Sequence, residues 1–298
     1  RYSAWASHID FNPREKFKFS DIKEELVLGM RIGILSLMAV LIGQTDKAFA
    51  SGMFELYEFG LYSIAVLFGL GITTIGYPIA SAAFPHFAKA GYETQEQSID
   101  FTYVTYCLIS ITVISAVAIA AFVHAEGLLL FYLGVEQLPS DLLLVTKVIL
   151  IGGLFAGLIP IPYSLLTASG SLVNLYKLYS ILAIPYLAVV YFLGSDYGLL
   201  GISIAFSVMQ SVTFFCIFWL ANNTWVYKKR LRLIFQIFIA PLIIASGLAY
   251  GIDFIFLLSP SNLNVLFKFS STFIFIAVTL ATIYNLKKRV LSQKIMAT

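Results

Sequence analysis

Long apolar runs separated by short polar breaks set the plan of this chain. A membrane-crossing helix takes about 20 mainly apolar residues. By that measure the pattern predicts eight spans, at 27–48, 59–84, 101–123, 143–167, 175–193, 198–221, 232–251 and 266–285. The strict two-residue alternation that builds membrane barrels is absent, so all eight are expected to be helices. The second run holds Gly60, Gly69, Gly71, Gly76 and Pro78, with Pro85 following at its end. A kink is expected there, because proline removes a backbone donor and glycine weakens the helix around it. The expected organisation is a polar lead-in at 1–26, six helices at 27–221, and two further helices with a basic tail at 222–298.

Composition agrees with this pattern. Hydrophobic residues make up 59% of the chain and charged ones 12%, against about 45–50% and about 25% in soluble domains. Mean hydropathy is +0.89. A soluble enzyme, a nucleic-acid-binding module and a disordered protein are all excluded. The net charge of +3 is too small to argue for a polyanion-binding surface.

The placement of the positive charge says more. With the N-terminal segment put in the cytoplasm, 19 Lys and Arg distribute unevenly. All fall on the inner side except Lys47, Lys147 and Lys268 outside and Arg31 within the first span. That asymmetry predicts a multi-pass protein with both ends cytoplasmic. The outer connections are short; the longest, from His124 to Asp141, has no Lys or Arg. Function is therefore expected among the helices. The chain opens on Arg1 with no secretory-signal pattern, which reads as a chain cut from a longer protein.

Ionisable side chains within a bilayer are functional candidates by default. Arg31, Asp46 and Lys47 lie on the first span. Arg31 and Asp46 are fifteen positions apart, which places them within about 60° on a helix, so one face could line a polar cavity. The plainer alternative is that Arg31 snorkels to the inner headgroups and Asp46-Lys47 marks the outer interface. Lys147 either faces an outward-opening cavity or anchors at the interface. Lys177 and His86 read as interfacial, and His124 and Glu126 as solvated. Cys107 and Cys216 read as small hydrophobes, and no Cys/His spacing suits a metal. No phosphate-binding loop and no catalytic triad stands out, so neither an enzyme nor a cofactor is expected. Gly29/Gly33 and Gly153/Gly157 have the spacing of close helix contacts, a weak signal. Tyr57, Tyr62, Tyr132, Tyr191 and Tyr197 read as an interfacial belt, with sugar stacking in a cavity as the sharper alternative.

The stretch from Leu41 to Ala65, with its Gln44-Thr45-Asp46-Lys47, and its continuation through Pro78 to Lys89 resemble a known family. They look like polysaccharide flippases of the Wzx type, in the multidrug/oligosaccharidyl-lipid/polysaccharide exporter superfamily. There an Asp-Arg or Asp-Lys pair ends a span, a short outer loop with a Gly-Tyr-like step follows (here Gly60-Leu61-Tyr62), and the next span ends in Phe-Pro (here Phe84-Pro85). The resemblance implies an all-α membrane bundle, the second lobe of a MATE-like fold plus two extra C-terminal helices. It also implies translocation of undecaprenyl-pyrophosphate-linked oligosaccharide from the cytoplasmic to the outer leaflet of the bacterial inner membrane. Arg31, Asp46, Lys47 and Lys147 are the positions onto which substrate binding carries over, and Pro78 and Pro85 the helix kinks. The partners it implies are the lipid-linked substrate, membrane lipids, the missing lobe, and a polysaccharide polymerase and chain-length regulator; nucleic acid is not among them.

Two relatives of that superfamily stay open as alternatives. One is a cation-coupled multidrug exporter, against which the lack of a mid-span carboxylate weighs. The other is a peptidoglycan-precursor lipid flippase, which would be essential for growth. A membrane-embedded polymerase or acyltransferase would need a large outer loop with paired Arg or His, which is missing.

Overall fold

A computed structural model describes residues 19–92, 96–225 and 272–274; the side chains of 19–25, 28, 31, 32, 35, 90–92, 96–101, 172, 224 and 225 fall outside that description. Among the described residues, seven helices follow one another before residue 226: α1 (Phe19–Met53), α2 (Leu56–Tyr92), α3 (Glu96–Val123), α4 (Ala125–Leu133), α5 (Leu142–Leu158), α6 (Pro160–Ala168) and α7 (Leu172–Trp225). No strand occurs among the described residues. The protein is an all-α membrane bundle.

The first six expected spans each find a helical counterpart. α1, α2 and α3 contain the first three. α5 and α6 together carry the fourth, with a break at Ile159 just before Pro160, where the chain makes a tighter Ile159-to-Ala156 backbone bond. The fifth and sixth are the two arms of α7, at 172–197 and 199–225. Gly198 separates them with φ 62° and ψ −143°, a backbone region open essentially to glycine alone. The spans at 232–251 and 266–285 lie outside the described residues, apart from Thr272–Ile274.

α2 has 37 residues, or about 55 Å at 1.5 Å per residue. It therefore outruns a hydrocarbon core of about 30 Å. Pro78 and Pro85 both lie inside it. The link between α1 and α2 is only Phe54–Glu55, so Gly60-Leu61-Tyr62 sits in the second turn of α2 and not in a loop. The tight link arises because the helical pattern resumes at Leu56, with Glu58 in the first turn of α2, where an acid suits the helix dipole.

Outward faces are apolar, as lipid demands: Leu37 and Leu41 on α1 and Ile181 and Ile184 on α7 are all exposed. Inside, α2 and α5 come into backbone contact. A Cβ added to Gly76 would stand 2.1 Å from the carbonyl oxygen of Gly157, and one on Gly153 would stand 2.8 Å from that of Gly69. Side chains larger than hydrogen would force these helices apart. Gly29 and Gly33 share the Gly153/Gly157 spacing but face open space. On the other side of α5, Gly152 receives the Phe206 ring of the second α7 arm, and Ser207 Oγ bonds the Val148 carbonyl at 2.5 Å.

α1 packs instead on the first arm of α7, running parallel to it. Met38 meets Ser180, Phe49 meets the edge of Tyr191 at 6.4 Å, and Met53 reaches Gly194. α1 touches α2 only sparingly. A gap therefore remains between α1 and the α2–α5 pair.

Candidate functional site: a polar cleft beside a buried carboxylate

The gap is a cleft of about 770 Å³ bounded by α1, α2, α5, α6 and both arms of α7. Polar side chains reach it from α1, α2, α6 and α7. α1 supplies Ser36, Gln44 and Lys47; α2 supplies Thr73, Tyr77 and Ser81; α6 supplies Tyr163, Ser164 and Thr167. The α7 arms add Tyr179, Gln210 and Thr213. Lys47 is the one charged residue of the lining among the described residues. Its Nζ donates to Gln44 Oε1 at 2.8 Å, one turn back on the same helix.

Several lining hydroxyls are turned onto their own helices. Thr73 donates to the Gly69 carbonyl, Ser164 to that of Ile161, and Thr167 to that of Tyr163. Their oxygen lone pairs stay available to a guest. The phenols of Tyr77, Tyr163 and Tyr179 lie within electrostatic reach of one another, although they come from three different elements.

Asp46 sits next to Lys47 in sequence but faces a different way. It is fully buried, at 0% exposure. Tyr62 donates its hydroxyl to Asp46 Oδ2 at 2.6 Å, which ties α1 to α2. Asp46 Oδ1 finds no hydrogen-bond partner among the described residues. The Tyr186 phenol of the first α7 arm lies close enough to interact with the carboxylate. Three helices thus converge on one carboxyl group.

The sequence candidates divide on this geometry. Lys47 and Pro85 line the cleft, and Asp46 is packed beside it. Pro78 lies in α2 outside the lining. Lys147, half-buried, holds its ammonium 5.5 Å from the centre of the Phe122 ring, apart from the cleft. Such a cation–π contact accounts for it without any ligand. Arg31 lies on α1, and its side chain is outside the described residues.

Two sequence readings need correcting. His124 is buried, at 7% exposure, and its Nε2 lies 2.9 Å from the hydroxyl of buried Thr272, so it is not solvated. Tyr62 is buried against Asp46, whereas its supposed belt companions Tyr57, Tyr132, Tyr191 and Tyr197 are exposed. The tyrosines and Gln210 of the cleft were not singled out at all. A signal for them was present: Thr73, Tyr77 and Ser81 recur every fourth residue, as do Tyr163 and Thr167, which makes a polar stripe on an apolar helix.

Residues 2–140 match the model of a family described as polysaccharide biosynthesis proteins. The match covers slightly under half of the chain. It contains Arg31, Asp46, Lys47, Tyr62, Pro78 and Pro85, and so the α1 and α2 walls of the cleft. It ends before Lys147 and α5. Neither curated proteins nor solved structures give a significant match to the chain.

Proposed function

We propose that this chain is part of a translocator for lipid-linked oligosaccharide, moving repeat units on undecaprenyl pyrophosphate from the cytoplasmic to the outer leaflet. The observation that carries the reading is the cleft: a polar-lined space of about 770 Å³ with one lysine, inside a bundle whose outside is apolar. A sugar head cannot cross hydrocarbon unaided, because each unbonded hydroxyl there costs several kcal/mol on the alkane-transfer scale. A cleft of hydroxyls and amides replaces the lost water, while the lipid tail stays in the bilayer. Lys47 supplies a point charge for a phosphate oxygen. The polysaccharide-biosynthesis match over residues 2–140 supports the same class of cargo.

On this reading the protein works in the bacterial inner membrane with both ends cytoplasmic. The cleft is one wall of a passage whose other wall is a second helical lobe, and rocking of the lobes alternates access. A polymerase and a chain-length regulator would receive the product.

The test is deletion of the full gene, followed by mass spectrometry of lipid-linked oligosaccharides and assay of surface polysaccharide. Completed repeat units should accumulate on the lipid while surface polymer disappears, and Lys47→Ala should reproduce part of that phenotype. Unchanged pools would sink the proposal. A cation-coupled exporter is the second reading, favoured by one observation, the fully buried Asp46 with an unbonded Oδ1. It predicts instead that deletion abolishes drug efflux driven by a sodium or proton gradient and leaves lipid-linked sugars untouched.

A further inference from the structure

Asp46 and Lys47 are neighbours on α1 with opposite surroundings. Lys47 is half-buried and lines the cleft, where its ammonium donates to Gln44 Oε1 and keeps further donors for a guest. Asp46 is fully buried beside the cleft. The groups that face its carboxyl come from three elements: Lys47 on α1, the Tyr62 hydroxyl of α2 and the Tyr186 phenol of the first α7 arm. Glu55 and Glu58, at the α1–α2 link, are exposed. Arg31 lies fifteen positions back on α1, about 22 Å along the helix axis and beyond reach of the carboxyl. Because the burial is complete, a group outside this chain reaches Asp46 only if α1 moves.

We propose that the Asp46 carboxyl is a proton-binding site linked to Lys47, taking up a proton from solvent as an anionic phosphate binds at that lysine. The inference rests on the translocator reading, in which Lys47 meets the phosphate, and adds a regulation of that same site. Two observations support it. Lys47 lies within electrostatic reach of the Asp46 carboxyl. An ionised Asp46 therefore offsets the field of the ammonium and repels a phosphate held there, whereas a neutral Asp46 leaves the ammonium to act alone. At an effective dielectric constant of about 20, unit charges about 10 Å apart change a binding constant roughly tenfold. The second observation is that Tyr62 serves only Oδ2, and Oδ1 has no hydrogen-bond partner among the described residues. A buried carboxylate suffers from such a gap far more than a neutral carboxyl does. Linkage is reciprocal, so the proton strengthens anion binding by the factor by which the anion strengthens proton binding.

The test is isothermal titration calorimetry of inorganic pyrophosphate into the full-length protein in lipid nanodiscs, from about pH 5 to about pH 9, in paired buffers of different ionisation enthalpy. The buffer dependence counts the protons taken up per anion bound. Protons exchanged by pyrophosphate itself appear in parent and variant alike, so their difference is the share of Asp46. Asp46→Asn keeps an oxygen for the Tyr62 hydroxyl and is neutral at every pH. The parent should match it at the acid end, fall roughly tenfold below it in affinity at the alkaline end, and take up more protons in between. Tyr62→Phe removes a donor that favours the ionised carboxylate, so the parent's weakening should move to higher pH; a carboxyl that merely ties α1 to α2 would give no such movement. Lys47→Gln should lose most of the binding.

Equal affinities and equal proton counts in parent and Asp46→Asn at every pH would overturn the linkage. Pyrophosphate binding that ignores Lys47→Gln, or no binding by the parent, would remove the anion site on which the linkage depends. Either failure, in a protein whose deletion still makes lipid-linked repeats accumulate, leaves the translocator standing. Intact linkage with unchanged lipid-linked pools on deletion would keep the proton site and sink the translocator.

Discussion

Gly76→Ala tests the packing on which the cleft depends. The added methyl would stand 2.1 Å from the Gly157 carbonyl oxygen, whereas ordinary contact begins near 3.4 Å. The shortfall of about 1.3 Å is against backbone, so no side-chain rotation relieves it. α2 and α5 must separate, or α2 must rotate, and the contacts of Gly69 with Ile149 and of Gly153 with Gly69 loosen with them. Overpacking of this kind costs about 1–3 kcal/mol. The matched control is Gly71→Ala, in the same helix, where a Cβ meets nothing within 4 Å. There alanine should be neutral or mildly stabilising, by up to about 1 kcal/mol of helix propensity. The assay is the apparent melting temperature of detergent-solubilised protein, read by fluorescence-detected size exclusion after graded heating. Gly76→Ala should melt several degrees below both the parent and Gly71→Ala. Gly157→Ala, whose Cβ would stand 3.2 Å from the Ile72 carbonyl oxygen, should lie between them. If Gly76→Ala melts with Gly71→Ala, the backbone contact between α2 and α5 is wrong.

Other outcomes follow from the same geometry. Tyr62→Phe strips Asp46 of its one side-chain hydrogen bond and should cost about 1–3 kcal/mol; in a double-mutant cycle with Asp46→Asn, additive melting shifts would show that the two do not interact. Gly198→Ala forces a side chain into φ 62°, ψ −143° and should lower stability by about 1–3 kcal/mol, whereas Gly60→Ala, with open space around it, should not; equal melting of the two would refute the strain. Lys147→Met should leave surface polysaccharide near parental levels in cells, since its ammonium meets the Phe122 ring outside the cleft, and a null phenotype in normally expressed protein would contradict that placement.

The first six spans were legible because length and apolarity are properties of a single run of sequence. Even α7, continuous by hydrogen bonding from 172 to 225, divides at Gly198, where the sequence reading separated 175–193 from 198–221. What each helix turns inward was harder. Tyr62 looks like any tyrosine near a membrane interface until the two-residue link after Met53 sets α2 against α1 and aims its hydroxyl at Asp46. Gly29/Gly33 and Gly153/Gly157 are the same pattern, and only the neighbour of each pair decides which one packs. His124 could not be read from its own surroundings, because its partner Thr272 lies 148 positions away. The cleft tyrosines are hard to read for a related reason: Tyr77 and Tyr163 belong to short polar stripes, and these matter only once three helices bring Tyr77, Tyr163 and Tyr179 together.

The contrast between the two walls of the cleft has a mechanical consequence. Where α2 lies on α5, backbone meets backbone at Gly76 with Gly157 and at Gly69 with Gly153, little side chain stands between the helices to repack, and that wall is expected to be stiff. α1 is held differently, by methionine and aromatic side chains along the first arm of α7 and by the hydroxyl of Tyr62. Thioether side chains such as those of Met38 and Met53 adapt to small slides at low cost. Compliance therefore concentrates in the α1 leaf. A change in the width of the cleft is expected at α1 and not at the α2–α5 wall.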